Sequence, residues 1–433
     1  MDDYVKSLPD GWREARLKDC FSYGKGLNIT KADLVEDGTP VISYGQIHAK
    51  QNDGTHLKSE LLRYVPDEVA RENPGARLKV GDIVFADTSE DLAGVGNCVL
   101  NDVGDGVYAG YHTLIARAKD PRNSKYLSYL FQTDCWREQL RKRACGIKVF
   151  SLTQRLLSNV KIVLPPRPEQ ELITAFLDEK CAAVDKTIEV KRKQLELIAG
   201  QRKSLITQSV VFGLGSCQSR KTGIEWMPLV NSGWEVVSLK RLLSRKMEYG
   251  LSEAAELEDE SLPRYIRITD FGDDGELKYD TFRSLPVEIA KEAMLQVNDV
   301  LFARSGATVG KSYIYTGWRT GACFAGYLIR AQTKTWRLNP KFLYYFTKSA
   351  AYDAWKGLIF TQATIQNINA VKYGQLKIPV PPVRTQNEIV SYLEAREVEF
   401  DSLVANLRKQ IDTLEQYRKS LIHEYVTGER RVV

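Results

Sequence analysis

The stretch Pro165-Pro166-Arg167-Pro168-Glu169-Gln170 opens a segment, residues 165–212, that the chain contains twice. The second copy covers residues 381–428, about half of the 433-residue chain further on, and it matches the first without a gap. Identical residues stand at Pro165/Pro381, Pro166/Pro382, Gln170/Gln386, Asp185/Asp401, Arg192-Lys193-Gln194/Arg408-Lys409-Gln410 and Arg202-Lys203-Ser204-Leu205-Ile206/Arg418-Lys419-Ser420-Leu421-Ile422. So many matches at one fixed spacing identify an internal repeat.

Each copy predicts one long helix. Its proline pair favours a first helical turn, because proline fixes φ and lacks the N–H that a helix start leaves unpaired. Apolar residues then alternate in steps of four and three, the pattern of a coiled-coil seam over about four heptads. They are Val184, Ile188, Leu195, Ile198 and Leu205 in the first copy, and Phe400, Val404, Leu407, Ile411, Leu414, Leu421 and Tyr425 in the second. A helix of roughly 40 residues is on the order of 60 Å long, too long for the interior of one compact domain.

The order of segments along the chain predicts how the two helices run. A short linker, residues 213–226, ties the second globular segment to the end of the first helix, and the second helix leaves that same segment at Pro381. If the seams pair, the helices are antiparallel. The expected fold class is α+β: two mixed α/β domains separated by two long antiparallel coiled-coil helices, with a pseudo-two-fold internal repeat. The expected domains are 1–164, 165–213 for the first helix, 214–380, and 381–433 for the second helix.

The two globular segments also resemble each other. A turn and a short apolar strand recur at residues 81–86 and 298–303, and Ala-Gly-Tyr recurs at residues 109–111 and 325–327. The loops that follow the strands differ, with Asp87-Thr88-Ser89-Glu90-Asp91-Leu92-Ala93-Gly94 in the first segment and Arg304-Ser305-Gly306-Ala307-Thr308 in the second. One fold with two different loops suggests two different recognition surfaces.

Composition excludes several classes of protein. No apolar run is long enough to cross a membrane, and the acidic start of the chain does not have the pattern of an export signal, so we expect a cytoplasmic protein. Seven scattered cysteines and four histidines do not have the spacing of a zinc or disulfide framework. The net charge of +6 permits a polyanionic partner without requiring one.

No catalytic or metal-binding group emerges from the sequence. Residues 306–312, Gly-Ala-Thr-Val-Gly-Lys-Ser, have three residues between the glycines where a Walker A loop has four, and the residues that follow look extended. We therefore interpret them as a glycine-rich loop between strands. Asp270, Asp273 and Asp274 are interpreted as solvated turn residues and not as metal ligands.

Two clusters are candidates for contact with nucleic acid. The cations of the first cluster are Arg137, Arg141, Lys142, Arg143 and Lys148 at the end of a predicted helix. They either bind phosphates or complement the helix dipole. The second cluster comprises Arg304, Ser305, Thr308 and Lys311, where small residues between cations allow close approach to a phosphate backbone.

The long helices carry candidates for contact with another protein. Arg202 and Arg418 interrupt the apolar seam at equivalent positions, so each either pairs with an acidic residue across the helices or binds another subunit. Apolar residues outside the seam are more numerous than two paired helices can bury, which indicates partner helices. We expect this outer surface to include Leu172, Ile173, Phe176, Leu177, Ile389, Tyr392 and Leu393.

The repeated helix, its Pro-Pro-x-x-x-Gln start and its Arg-Lys-Ser-Leu-Ile end resemble the specificity subunit of type I restriction-modification enzymes. The resemblance covers essentially the whole chain. It implies two target-recognition domains that each read half of a bipartite site in double-stranded DNA, and helices that dock two methyltransferase subunits. It also implies restriction and translocase subunits as partners, and S-adenosylmethionine, ATP and Mg²⁺ as cofactors of the assembly and not of this non-catalytic chain. The acidic residues 87–90 depart from the basic second loop, but carboxylates can accept from cytosine N4.

Two other classes of function remain open. One is an enzyme that acts on nucleic acid by itself, a methyltransferase or an NTPase built on residues 306–312. The other is a coiled-coil adaptor that does not bind DNA. Binding of S-adenosylmethionine or ATP by the isolated chain would indicate the first class, and the absence of a salt-sensitive DNA complex would indicate the second.

Overall fold

A computed structural model describes residues 8–144, 149–272, 276–361 and 366–432. The chain divides into two compact units, the first formed by residues 1–191 with 409–433 and the second by residues 192–408. Both units combine short strands with helices, which confirms the α+β fold class. Within the described ranges, no helix is both long enough and apolar enough to pass through a bilayer.

The first unit is built on a four-stranded antiparallel sheet in the order β2-β9-β5-β7, and a second sheet pairs β3 with β4 antiparallel and with β8 parallel. Strand β5 is buried along its whole length, as its apolar sequence predicts. The elements are β1 (Arg13–Arg16), α1 (Leu17–Cys20), β2 (Phe21–Lys25), β3 (Thr39–Ile42), α2 (Tyr44–Ile47), β4 (Arg63–Val65), α3 (Asp67–Glu72), β5 (Ile83–Ala86), β6 (Thr88–Ser89), β7 (Cys98–Leu100), β8 (Tyr108–Ala109), β9 (Thr113–Ala118), α4 (Ser124–Leu130), α5 (Asp134–Arg141), β10 (Phe150–Ser151), α6 (Gln154–Ser158), β11 (Lys161–Leu164) and the long helix α7 (Arg167–Val211).

The second unit repeats this topology. Its four-stranded sheet has the order β15-β20-β17-β18, its parallel pair is β16-β19, and β14-β21 corresponds to the antiparallel pair β1-β11. The elements are β12 (Ser219–Ile224), β13 (Met227–Asn231), β14 (Glu235–Ser238), α8 (Leu239–Leu242), β15 (Glu248–Tyr249), β16 (Arg264–Ile266), α9 (Val287–Ala290), β17 (Val300–Ala303), β18 (Ser312–Ile314), β19 (Ala322–Phe324), β20 (Leu328–Ala331), α10 (Pro340–Phe346), α11 (Ala350–Thr361), α12 (Ala370–Gln375), β21 (Lys377–Val380) and the long helix α13 (Val383–Val426).

A buried glutamine fixes the start of each long helix. Gln170 Nε2 donates to the Pro165 carbonyl at 3.0 Å, and Gln386 Nε2 donates to the Pro381 carbonyl at 2.8 Å. Both side chains are almost fully buried. A carbonyl buried at a helix start needs a hydrogen-bond donor, which is why the sequence repeats Pro-Pro-x-x-x-Gln with this spacing.

Helices α7 and α13 are antiparallel, as predicted from the sequence. In the first unit the Phe176 and Tyr425 rings lie 4.5 Å apart between centroids, and Lys191 donates to Gln410. In the second unit Arg202 pairs with Asp401. Residue numbers therefore rise along α7 as they fall along α13. The predicted seam is confirmed as well, since Val184, Ile188, Phe400, Ile411, Leu421 and Tyr425 are buried and the other seam residues are partly buried.

Both long helices contribute to the core of each unit. The first core includes Ile173 and Leu177 from α7 and Leu421 and Ile422 from α13. The second core includes Ile206 and Val210 from α7 and, from α13, Ile389, Val390 and Leu393. The expectation that Ile173, Leu177 and Leu393 lie on the outer surface of the helices is therefore wrong. The same is true of Ile389. Its side chain is 0% exposed, because the start of α13 packs under the sheet and helices of the second unit.

Candidate nucleic-acid interface

The second unit carries a loop, residues 304–311, between strands β17 and β18. Gly310 N donates to the Ala303 carbonyl at 3.0 Å and Ala303 N donates to the Lys311 carbonyl at 2.8 Å, which closes the loop. Gly306 and Gly310 have φ near +80°, a conformation that favours glycine. The loop continues into an antiparallel strand and not into a helix, so the interpretation as a glycine-rich loop between strands is confirmed.

Two buried tyrosines hold the ends of this loop from beneath. The Tyr373 hydroxyl donates to the Ala303 carbonyl at 2.8 Å, and the Tyr352 hydroxyl donates to the Gly310 carbonyl at 2.9 Å. Both rings are fully buried. The loop is thus presented on a rigid support, as a recognition surface requires.

Three polar atoms around the loop have unused hydrogen-bonding capacity. Arg304 Nε, Thr308 Oγ1 and Asn367 Oδ1 are buried, and none has a hydrogen-bond partner in the described part of the chain. Asn367 lies opposite Ser305 in a backbone bridge, and the Arg304 guanidinium stacks 5.1 Å from the centre of the Tyr249 ring. A guanidinium donor, a hydroxyl and an amide acceptor are the groups that read base edges.

The first unit carries a chemically different loop, residues 87–97, after the equivalent strand β5. Its Thr88 and Ser89 pair with Phe150 and Ser151. Glu90 and Asp91 are exposed, and Asp91 Oδ1 accepts from Gly94 N at 2.6 Å. This loop is acidic where the second-unit loop is basic.

A chain of hydrogen bonds positions the first-unit loop. Arg137 Nη1 donates to Asn97 Oδ1 at 2.6 Å, Asn97 Nδ2 lies 3.0 Å from His48 Nδ1, and His48 Nε2 lies 2.8 Å from the Thr88 carbonyl oxygen. Because a carbonyl oxygen only accepts, the proton of the imidazole is on Nε2, and Nδ1 accepts from the asparagine amide. The chain runs from helix α5 to the backbone of the loop.

Aromatic side chains border the same loop. The Tyr44 ring contacts the rings of His48, Tyr111 and His112 at centroid distances of 6.2, 5.5 and 5.4 Å. Tyr44 and His48 line a cavity of about 460 Å³ together with residues Ser89 to Asp91 of the loop. The cavity thus combines aromatic faces with carboxylate acceptors, which suits a nucleobase edge.

Two of the five predicted cations are bound within the first unit. Arg137 donates from its three nitrogens to Phe131 O, Asn97 Oδ1 and Gln132 Oε1 at 2.6–2.8 Å. Arg141 pairs with Asp134 and Glu138 at 2.9 and 3.1 Å and is 15% exposed. These two arginines hold the helix and the loop in place, which corrects their expected position among solvent-facing cations. Lys142 and Arg143 are exposed, and Lys148 lies outside the described residues.

Among the residues expected to bind another subunit, the structure separates three groups. Leu172 and Tyr392 are 55% and 39% exposed, whereas Phe176 is partly buried against Tyr425. Arg202 and Arg418 pair with carboxylates of the opposite long helix, so the predicted pairing across the helices is confirmed. Contact with another subunit stays a prediction for all of these except the buried Ile389.

Within the described ranges, no three His, Cys, Asp or Glu side chains are placed to hold a metal ion. Asp273 and Asp274 lie outside those ranges. Asp270 differs from the solvated turn residue that we expected. It is fully buried, and its carboxylate accepts from Arg267 N at 2.7 Å and from Arg267 Nη2 at 3.0 Å.

The sequence of both units matches one family model, the type I restriction modification DNA specificity domain, over residues 9–199 and 231–416. The chain belongs to this family. The duplicated match coincides with the duplicated topology of the two units, so the specificity domain is present twice.

Individual relatives extend along nearly the whole chain. A Methanocaldococcus jannaschii protein, provisionally named the MjaX type I restriction enzyme specificity subunit, is 24% identical over 442 residues, covering 99% of this chain and 96% of the relative. The StySPI specificity subunit of Salmonella potsdam is 20% identical, covering 98% and 90%. A solved structure from work on the assembly and conformational transition of a type I restriction-modification system has a TM-score of 0.70 at 18% identity, covering 98% of this chain and 100% of that one. This similarity supports the fold of a specificity subunit.

Sequence reasoning missed several residues of the candidate interface. Tyr44 and His48 in the first unit, and Tyr249 and Asn367 in the second, lie far along the chain from the loops that they border, and Asn97 ends the first-unit loop beyond the residues that the sequence singled out. The one signal that pointed toward them was the divergence between the two copies, because the loops differ where the strands beneath them agree.

Proposed function

We propose that this chain selects the DNA target of a type I modification or restriction assembly, each unit reading one half of a bipartite site. The observation that carries the proposal is the pair of loops at residues 87–97 and 304–311. They follow equivalent buried strands, yet one presents carboxylates and the other a guanidinium and a hydroxyl beside the amide of Asn367. A repeated scaffold with different loops is suited to reading two unlike sequences.

The chemistry of each loop suggests how bases are distinguished. In the second unit, Arg304, Thr308 and Asn367 bring together a guanidinium, a hydroxyl and an amide, the groups that hydrogen-bond to the edges of base pairs. In the first unit, Glu90 and Asp91 can accept from an exocyclic amine such as cytosine N4. Ser305, Lys311, Lys142 and Arg143 are the candidates for phosphate contact, which positions the protein without specifying sequence.

The long helices provide surfaces for partner subunits. Leu172, Leu197, Tyr392 and Val398 are exposed apolar residues on α7 and α13, with exposed fractions of 55%, 66%, 39% and 71%. Exposed apolar residues on a helix are suited to docking another helix. We assign them to two methyltransferase subunits, with restriction and translocase subunits added in the complete assembly. In this proposal the chain is non-catalytic, and S-adenosylmethionine, ATP and Mg²⁺ are bound by the partners.

Sequencing of methylated DNA tests the assignment of one unit to each half-site. Cells expressing this chain with its methyltransferase partner are compared with cells carrying Thr308→Ala or Glu90→Gln. We expect Thr308→Ala to change only one half of the methylated target and Glu90→Gln to change only the other. Glu72→Gln, an exposed carboxylate outside both loops, serves as the control and is expected to change neither. Simultaneous change of both halves by either loop variant would contradict independent reading.

Two binding measurements distinguish the other classes of function. A salt-sensitive shift of duplex DNA by the isolated chain is expected for DNA recognition and not for a coiled-coil adaptor. Binding of S-adenosylmethionine or ATP by the isolated chain would instead favour an enzyme acting by itself.

A further inference from the structure

The second unit contains a charged cavity that DNA reading does not account for. It has a volume of about 580 Å³ and lies between helix α7, the start of α13 and the segment 344–356. Lys311 and Ser312, the end of the glycine-rich loop, form part of its wall. A concave site of this size is typical of small-ligand binding.

Five cationic side chains and four carboxylates line this cavity. Three of the carboxylates are committed to ion pairs: Asp353 to Lys203 and Lys356, and Glu397 and Asp401 to Arg202. Glu276 is the fourth carboxylate. The lining therefore carries one more positive than negative charge.

Lys348 is a cation of this cavity that has only weak contacts. Its Nζ lies 3.4 Å from the Ser312 carbonyl oxygen and 4.6 Å from the centre of the Tyr344 ring. It forms no ion pair with any residue that the structure describes. Burial, and then the charges of Lys356, Lys311 and Arg202, lower the pKa of Lys348 to about 8. An ammonium group in this position is stabilised by any anion that enters the cavity.

The first unit shows what a completed version of this arrangement looks like. Gln132 and Lys348 both stand two residues after equivalent seven-residue helices, α4 and α10. Asn97 and Lys311 both precede equivalent strands, β7 and β18. In the first unit Arg137 donates to both amides, at 2.6 and 2.8 Å, so one cation satisfies two neutral groups.

The second unit replaces both amides by lysines and the arginine by a carboxylate. The residue at the Arg137 position, fourth in its helix, is Asp353. In the second unit one carboxylate faces several cations, whereas in the first unit one cation faces two neutral acceptors. The same scaffold thus closes its hydrogen bonds in one copy and leaves positive charge unmatched in the other.

We infer that this cavity binds a small free anion bearing phosphate groups. An ammonium suits phosphate as a compact point charge with three donors. Lys348 is the direct ligand, and Lys356 supplies further positive charge from another side of the cavity. This binding is separate from the reading of DNA bases by residues 304–308.

Calorimetric titration of the full chain with inorganic pyrophosphate at constant ionic strength tests the inference. We expect one saturable site in the wild type. Lys348→Gln, which introduces the residue of the first unit, should weaken binding by about tenfold or more, the loss expected for one charge-assisted hydrogen bond. Lys291→Gln, which removes an exposed lysine elsewhere in the unit, should leave affinity unchanged. A wild type without a saturable site, or equal affinity in Lys348→Gln, would overturn the inference.

Two further measurements distinguish anion binding in this cavity from an effect on folding and from DNA binding. Lys348→Arg keeps the positive charge and should retain most of the affinity, whereas a merely structural effect would make both substitutions equally damaging. Duplex DNA of unrelated sequence, added at the same phosphate concentration, should not displace pyrophosphate, and displacement would make the cavity part of a DNA-binding track. The methylated target of Lys348→Gln should remain that of the wild type, whatever the outcome for the proposed half-site reading.

Discussion

Arg418 of helix α13 pairs with Asp185 of helix α7, with Nε and Oδ1 3.0 Å apart. The equivalent residues form the converse pair in the second unit, where Arg202 of α7 lies 3.0 Å from Asp401 of α13. Each arginine of one repeat therefore pairs with the aspartate of the other repeat. This exchange is the expected consequence of two equivalent helices that pair antiparallel, since a self-complementary contact matches residue i with j and j with i. The polar interruptions of the seam thus specify its register.

Breaking the Arg418–Asp185 pair should lower the free energy of unfolding modestly. Exchanging the two charges should restore it. Because Asp185 is 47% exposed, we expect a coupling free energy of about 0.5–1 kcal/mol. A double-mutant cycle of Arg418→Ala and Asp185→Ala, followed by urea unfolding, measures it. The Arg202–Asp401 pair is the matched comparison and should couple less, because both partners are more exposed and Arg202 also contacts Glu397. Additive effects at Arg418 and Asp185 would contradict a role in register.

The stability of the first unit should fall as pH rises through the titration of His56. Its Nδ1 lies 2.7 Å from Asp102 Oδ2 and its Nε2 lies 3.7 Å from Asp178 Oδ1 on α7, while Lys125 opposes its charge. The hydrogen bond to Asp102, and then the nearby carboxylate of Asp178, raise the pKa of His56 to about 9. A histidine whose pKa is raised on folding stabilises the folded state. This stabilisation is fully present below the ordinary pKa of about 6.5 and is lost as the pH rises toward 9. The side chain is 46% exposed, so we expect about 1 kcal/mol or less.

Urea unfolding of the full chain between pH 6 and pH 9.5 checks this dependence. His56→Gln should flatten the decline in stability across that window, and Asp102→Asn should move the decline to lower pH by removing the main cause of the raised pKa. An identical decline in wild type and His56→Gln would show that other groups are responsible.

The repeated long helices could be predicted in detail because their signals are local. The seam depends on residue spacing along one helix, and the proline pairs and Gln170 act within one turn of the helix start. The alternation of both copies also gave pairing with a carboxylate across the helices as one of the two alternatives for Arg202 and Arg418. These interactions follow from the geometry of two helices, so the positions of other elements did not have to be known.

The recognition surface could not be predicted in the same way because it depends on tertiary contacts. Arg137 looked like a free cation beside other cations, but its acceptors Asn97 and Gln132 come from a loop and from the end of another helix. Ile389 looked like a residue of an exposed helix, but the second unit covers it. In both cases the sequence identified the side chain correctly, and only the fold showed what lies against it.

Truncation of Ile389 should lower stability, whereas truncation of Leu172 should weaken binding of a partner subunit. Ile389→Ala removes buried methyl groups from the core of the second unit, so we expect a loss of about 3 kcal/mol in unfolding free energy. Leu172→Ala, at a side chain that is 55% exposed, should change stability by less than about 0.5 kcal/mol. Urea unfolding measures both. Only Leu172→Ala should weaken the affinity for the methyltransferase subunit at unchanged stability, which quantitative copurification measures, and unchanged affinity would remove Leu172 from the docking surface.

Neutralising Lys142 and Arg143 should reduce the salt dependence of DNA binding without changing the target. Both side chains are exposed at the end of α5, and each phosphate contact adds about 0.9 to the slope of log affinity against log salt. The double variant Lys142→Gln, Arg143→Gln should therefore lower that slope by up to about 1.8, measured by fluorescence anisotropy on duplexes with and without the target.

Arg137→Gln should instead change the target and leave the salt dependence of DNA binding unchanged. Its guanidinium is used inside the unit, where it orients Asn97 and, through His48, the backbone at Thr88. Losing it should disturb reading of one half-site and leave the salt slope unchanged. The control replaces two cations of α7, the partly exposed Lys180 and the exposed Lys186, by glutamine and should alter neither property. A reduced slope in Arg137→Gln would place this arginine on the phosphate backbone after all, because positioning of a loop adds no counterion release.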